Sequence, residues 1–150
     1  MKRILAIFAC LFIAILGGCA ASEGGNDLKE YTAEASQYLE KAADFAKEAS
    51  LKAEEAVHDE QAKEELKSKL EEMKNEIKEF SKVEAPKVAD GFHRNVVEKS
   101  AVLEDKIDLY LNRINQGKLD EEFLDKEDLK KPVEELKKAF TDLKENINEK

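Results

Sequence analysis

The sequence predicts an all-α fold: an antiparallel up-down helical bundle of three long helices plus a shorter C-terminal helix, preceded by a signal peptide. Apolar residues recur every three or four positions through most of residues 27–150, which is the period of one helix face. No segment shows the alternation of apolar and polar residues that is typical of a strand. Breaks near residues 58, 85 and 117 divide the periodic region into segments that short connections would make antiparallel neighbours.

The first helix is predicted to start at Asp27, because Asp27 and Glu30 form a capping box. Small alanine side chains on its apolar face allow close approach of neighbouring helices. The face comprises Leu28, Tyr31, Ala35, Tyr38, Ala42, Phe45, Ala49 and Ala56. This stripe is close to a heptad repeat, so an extended intermolecular coiled coil is the competing architecture. The later breaks favour the compact bundle.

The second helix follows a turn at residues 57–59, where Asp59 is a suitable N-cap. It ends before Pro86, which cannot continue a helix. Its apolar face comprises Ala62, Leu66, Leu70, Met73, Ile77 and Phe80.

Two further helices are predicted after Pro86. The third has its apolar face at Val88, Phe92, Val96, Leu103, Ile107, Tyr110 and Ile114. Lys99 and Ser100 interrupt this face and predict a break in register, and Gly117 lies at a C-cap position. One helical turn is predicted over residues 120–125. Pro132 suits the first turn of the last helix, whose face comprises Val133, Leu136, Phe140, Leu143 and Ile147.

Residues 1–18 have the organisation of a secretory signal peptide. Lys2 and Arg3 precede an uncharged apolar run over residues 4–16, which is too short to span a bilayer as a finished helix. Residues 19–26 would then form a flexible tether, and residues 27–150 the bundle domain.

The leader ends in the motif Leu16-Gly17-Gly18-Cys19. The order of charged, apolar and small residues before a cysteine resembles the lipobox of bacterial lipoproteins. The resemblance implies that Cys19 receives a diacylglyceryl group and becomes the N-terminus after cleavage, which would place the protein on the extracytoplasmic face of the cell membrane. The alternative is an ordinary secreted protein whose cysteine lies near the cleavage site by chance.

The charge of the chain bounds its partners. The leader holds two of the 25 basic residues and none of the 34 acidic residues, so the remaining chain carries a net charge of −11. This charge argues against binding to nucleic acid and against adsorption to anionic lipid through the protein itself. Membrane attachment would therefore depend on the lipid of Cys19. No disulfide is expected, since the second cysteine, Cys10, leaves with the leader.

The mature chain also carries a resemblance. The segments YTAEASQYLEKAADFAKEA, LKSKLEEMKNEIKEF and DLYLNRINQGKLD are similar to small helical lipoproteins of Firmicutes that form a family of unknown function. The resemblance supports the helical fold and the membrane address, and it implies no activity.

No pattern of residues indicates catalysis or metal binding. An E-x-x-H motif ends at His58 and a D-x-x-H motif ends at His93, but an up-down bundle places the two histidines at opposite ends. The acidic run over residues 120–128 lacks the central glycine of an EF-hand and indicates a solvated surface. No serine lies in a nucleophile motif. We therefore expect no enzyme activity, no cofactor and no bound metal.

The function expected from these observations is a membrane-tethered helical interaction module that meets another envelope protein or the cell wall. The alternative is a carrier that takes an apolar peptide or lipid between its helices. The interruption at Lys99 and Ser100 is the local reason for that alternative, because it indicates a loosely packed layer.

Overall fold

The computed structural model describes residues 25–148, and the predicted leader, Cys19 and most of the predicted tether lie outside them. The described chain forms five helices and no strand: α1 (Gly25–Ala56), α2 (Glu60–Phe80), α3 (Asp90–Asn115), α4 (Glu121–Lys126) and α5 (Lys130–Asn148). The predicted all-α fold is confirmed. Within the same residues, none of the helices combines the length and the apolar character that crossing a membrane requires.

The four longer helices close into a ring. Helix α1 packs against α2 and α5, and α3 packs against the same two helices from the other side. Neighbours in the ring are antiparallel, as the ion pairs between α1 and α2 show: Lys52 meets Glu65, and Lys41, eleven residues earlier, meets Glu76, eleven residues later. The up-down bundle is confirmed, and α1 and α3 lie diagonally across it.

The predicted apolar faces supply the core. Leu66 and Leu70 of α2, Leu103 and Ile107 of α3, and Leu136 of α5 are fully buried. Helix α1 contributes many alanines beside its larger buried side chains. They are Ala35, Ala42, Ala46, Ala49, Ala53 and Ala56, all almost without exposure. Burial of apolar surface on this scale is the main force that stabilises a helical bundle.

Two helix starts have aspartate N-caps, the predicted one at Asp59 and a second at Asp120, which was not predicted as a cap. The carboxylate of Asp59 accepts a hydrogen bond from the backbone nitrogen of Ala62 at 2.9 Å, and Asp120 accepts one from Phe123 at 2.8 Å. Each bond satisfies a donor that the helix itself leaves unpaired. The predicted turn of helix over residues 120–125 is therefore present as α4.

The predicted stop at Gly117 is also present. Gly117 adopts a φ of 64°, in the left-handed region that favours glycine. The backbone nitrogen of Lys118 donates to the carbonyl of Arg113 at 2.9 Å, and that of Gly117 donates to Ile114 at 3.0 Å. These two bonds form a Schellman motif, which ends α3.

Three sequence expectations need correction. Helix α1 begins at Gly25, two residues before the predicted start, so Asp27 lies in the first turn and its charge faces the positive end of the helix dipole. Val88 lies before α3 and is 75 % exposed, because the connection from α2 extends to Ala89. The predicted break at Lys99 and Ser100 is wrong, since α3 is continuous.

Candidate functional site

Six rings from all four long helices meet near the start of α1. They are Tyr31 and Tyr38 of α1, Phe80 of α2, Phe92 and His93 of α3, and Phe140 of α5, and we call this region the aromatic end. Ring centroids lie 4.3 Å apart for the stacked pair Tyr38 and Phe80, and 5.2 to 6.1 Å apart for the other contacts. These separations are typical of favourable aromatic pairs.

Two hydrogen bonds join α1 to α3 across the diagonal of the bundle. The hydroxyl of Tyr38 lies 2.6 Å from the Oγ atom of Ser100, and the hydroxyl of Tyr31 lies 3.1 Å from the Nδ1 atom of His93. Both pairs span 62 residues, so they are equivalent bonds one heptad apart. They link two parallel helices that are not neighbours in the ring, together with the contact between the Tyr31 and Phe92 rings.

The Tyr38–Ser100 bond explains why α3 does not break. Ser100 is 2 % exposed and occupies a regular position of the buried face, between Val96 and Leu103. Its hydroxyl is satisfied by Tyr38, so a polar residue is accommodated in the core without a change of register. The polar interruption in the sequence therefore marks a specific contact.

Burial raises the pKa of both tyrosines of the aromatic end. It raises the pKa of Tyr31 well above its ordinary value, with a further contribution from the negative charge of Glu34. Burial also raises the pKa of Tyr38 to about 12, against the opposing effect of the hydrogen bond with Ser100. At neutral pH these phenols are uncharged, as an ordinary tyrosine is, and they form their hydrogen bonds in that state.

Phe92 and Tyr31 of the aromatic end each lie in the wall of a groove. One, of about 790 Å³, lies between α3 and α5 and has Phe92, Val88 and Leu143 among its walls. The ion pair of Lys99 with Glu135, at 3.3 Å, lies along it. Such a groove can bind a ligand whose apolar group packs against Phe92 and whose charged group lies beside Lys99.

The second groove, of about 500 Å³, lies between α1 and the connection from α2 to α3, with Tyr31 in its wall. Its polar lining is acidic and comprises Asp27, Glu30, Glu34 and Glu84. The two sides of the aromatic end therefore differ in charge.

The opposite end of the bundle is closed by α4. Phe123 of α4 packs edge-on against Tyr110 at 4.9 Å, and the guanidinium of Arg113 lies 5.2 Å from the Phe123 ring centroid. The hydroxyl of Tyr110 donates to the backbone carbonyl of Glu127, whose carboxylate pairs with Lys106. Residues of the acidic run thus cap the start of α4 and hold its end against α3.

The two histidines lie at opposite ends, as the sequence predicts. His93 contacts Tyr31 near the start of α1, whereas His58 follows the end of α1 and lies 3.6 Å from Glu121. The helix rise separates the levels of Tyr31 and His58 by about 40 Å. In residues 25–148 no three histidine, cysteine or acidic side chains are grouped as metal ligands would be. Cys19, the predicted lipidation site, lies outside the described residues.

Sequence reasoning missed the paired hydrogen bonds of the aromatic end. A signal was present, since Tyr31 and Tyr38 are one heptad apart on α1, and His93 and Ser100 are one heptad apart on α3. Matching heptads of a hydroxyl donor and a polar acceptor on two helices indicate a polar layer in a bundle core.

The fold and the aromatic end define a closed up-down four-helix bundle with a short helix across one end, an architecture that fixes no activity by itself. The model of a family of unknown function, DUF6376, matches residues 31–147, and the chain belongs to this family. Membership in a family of unknown function agrees with the resemblance of the sequence at this level. Comparisons with curated proteins and with solved structures found no match.

Proposed function

We propose that this protein is a lipoprotein held on the extracytoplasmic face of the cell membrane by a lipid on Cys19. Its bundle would act as an interaction module for another envelope protein or the cell wall. The observation that carries the proposal is the order of residues 2–19, in which basic and apolar residues precede two glycines and a cysteine. Two acyl chains on one cysteine hold a protein firmly on a bilayer. Origin in a Firmicutes cell rests on the same resemblance and is part of the proposal.

The start of α1 supports a definite orientation for an anchored chain. Only residues 20–24 separate Cys19 from Gly25, so the two residues lie within about 20 Å in any conformation. Helix α1 is about 48 Å long at 1.5 Å per residue. The aromatic end would therefore lie next to the bilayer, and α4 would point away from it.

The charged outer faces of the bundle support a role in binding a partner rather than in catalysis. Exposed ion pairs such as Lys41 with Glu76 and Lys69 with Glu48 contribute little to stability. Their charges can therefore exchange partners at small cost when a protein or wall polymer docks. The absence of enzyme activity, cofactor and metal is part of this proposal.

The alternative function is a carrier for an apolar peptide or lipid. The groove beside Phe92 favours it, because an aromatic wall and a volume of about 790 Å³ suit a small apolar group. Ser100 does not support this alternative, because its side chain is buried and bonded to the Tyr38 hydroxyl.

Cross-linking in the cell separates the two functions. A photoreactive amino acid is placed at exposed Glu64 or Glu122, in the wild-type chain and in the Cys19→Ser form. The interaction module predicts the same protein or wall neighbour in repeated experiments, and its loss with Cys19→Ser. No neighbour, together with an apolar ligand that co-purifies and is lost with Phe92→Ala, would establish the carrier instead.

A further inference from the structure

Val88 is the most exposed of the large hydrophobic residues that the structure describes. It is 75 % exposed, compared with 57 % for Leu51, 51 % for Val102 and 36 % for Leu109. The other three lie within helices, whereas Val88 lies in the connection between α2 and α3. A single exposed valine is ordinary on a protein surface, so the argument depends on where this one lies.

The position of Val88 is set by the aromatic end. Phe80 ends α2, and its ring contacts His93; Phe92 lies in the first turn of α3, and its ring contacts Tyr31. The connection over residues 81–89 is therefore at the end of the bundle where α1 begins. The chain outside the structure leaves α1 at that same end and reaches Cys19 after residues 20–24.

The chemistry near Val88 suits a lipid surface. Lys87 precedes it and is exposed, and the connection 81–89 carries Lys82 and Lys87 against Glu84 in a chain that is otherwise acidic. Four carboxylates of this end line the groove on the α1 side, and the nearby Glu79 and Asp90 are neutralised in ion pairs with Lys82 and Arg94, which leaves Lys87, among the residues that the structure describes, as the free charge next to Val88. An apolar tip beside lysine side chains is typical of segments that enter the boundary between head groups and acyl chains.

We propose that the corner formed by Lys87 and Val88 contacts the bilayer and holds the bundle upright on its anchor. The inference rests on the proposed attachment at Cys19. A corner of this size binds a membrane only weakly by itself, but an anchor within about 20 Å gives it a high effective concentration at the surface. The contact thus fixes which face of the module points toward its partner.

The test uses tryptophan fluorescence, because the chain contains no tryptophan of its own. Val88→Trp places one reporter at the corner, and Leu51→Trp places the matched control at another exposed position, about 39 Å farther along α1 from Gly25. The mature chain is coupled through its only thiol, Cys19, to a maleimide phospholipid in phosphatidylcholine vesicles. Brominated acyl chains in these vesicles quench tryptophan on contact.

The proposal predicts blue-shifted and strongly quenched emission for Val88→Trp and unchanged emission for Leu51→Trp. Equal quenching of both would mean that the bundle lies flat, and no quenching of Val88→Trp would mean that the corner stays in water; either result overturns the inference. Because coupling replaces biological lipidation, the result is independent of whether the native chain is anchored. Fractionation of the native chain tests that separately.

Discussion

Removing the hydroxyl of Ser100 should destabilise the bundle more than removing the hydroxyl of Tyr38. Ser100→Ala leaves the Tyr38 hydroxyl buried, 2.6 Å from a partner that no longer exists. An unsatisfied buried polar group costs about 1–3 kcal/mol. Tyr38→Phe leaves Ser100, which can turn its hydroxyl to a carbonyl of its own helix, as Ser50 does to Ala46 at 2.7 Å. We expect Tyr38→Phe to cost about 0.5–1.5 kcal/mol.

Urea denaturation followed by circular dichroism measures these free energies of unfolding on the mature chain. Ser68→Ala, at an exposed serine of α2, is the matched control and should change stability by less than about 0.5 kcal/mol. The double variant should resemble Tyr38→Phe alone, so the coupling energy between the two sites should equal the cost of Ser100→Ala, about 1–3 kcal/mol. Additive single effects, or a loss below about 0.5 kcal/mol for Ser100→Ala, would refute the buried bond.

Three other substitutions, two of them with matched controls, test the helix ends and the close packing of α1 by the same measurement. Gly117→Ala should cost about 1 kcal/mol, because alanine disfavours the left-handed φ; no atom lies within 4 Å of the added Cβ, so no steric clash adds to this cost. Gly91 lies in a helix, and its added Cβ also meets no atom within 4 Å, so Gly91→Ala should stabilise the bundle by about 0.5–1 kcal/mol. Equal effects at the two glycines would contradict the Schellman motif. Ala42→Leu at a fully buried site should cost about 1–3 kcal/mol, and Ala33→Leu at an exposed site should be near neutral. Asp120→Ala should cost about 1 kcal/mol by removing the N-cap of α4, and an unchanged midpoint would show that this cap is dispensable.

The sequence was sufficient for the helices because each depends on local signals. A period of three to four residues identifies a buried face, and Asp59, Asp120 and Gly117 mark helix ends through backbone hydrogen bonds within a few residues. Short connections then make neighbours antiparallel. The order of elements and the up-down arrangement follow from these rules.

The aromatic end could not be predicted in the same way, because its contacts join residues that are far apart in sequence. In the sequence Ser100 interrupts the apolar face of α3, and only the structure shows that the Tyr38 hydroxyl lies opposite it. Val88 fits the apolar period of α3, but it lies before the helix. The connection from α2 continues past Pro86 as far as Ala89, so α3 starts only at Asp90. Tertiary contacts decide both cases.

The central claim, anchoring through Cys19, is tested most directly by the mass of the N-terminal peptide of the native protein isolated from cell membranes. The account predicts a chain that begins at Cys19 and carries a diacylglyceryl group, together with loss of the Cys19→Ser form from the membrane fraction. An unmodified Cys19, a different N-terminus, or equally firm membrane association of Cys19→Ser would contradict it.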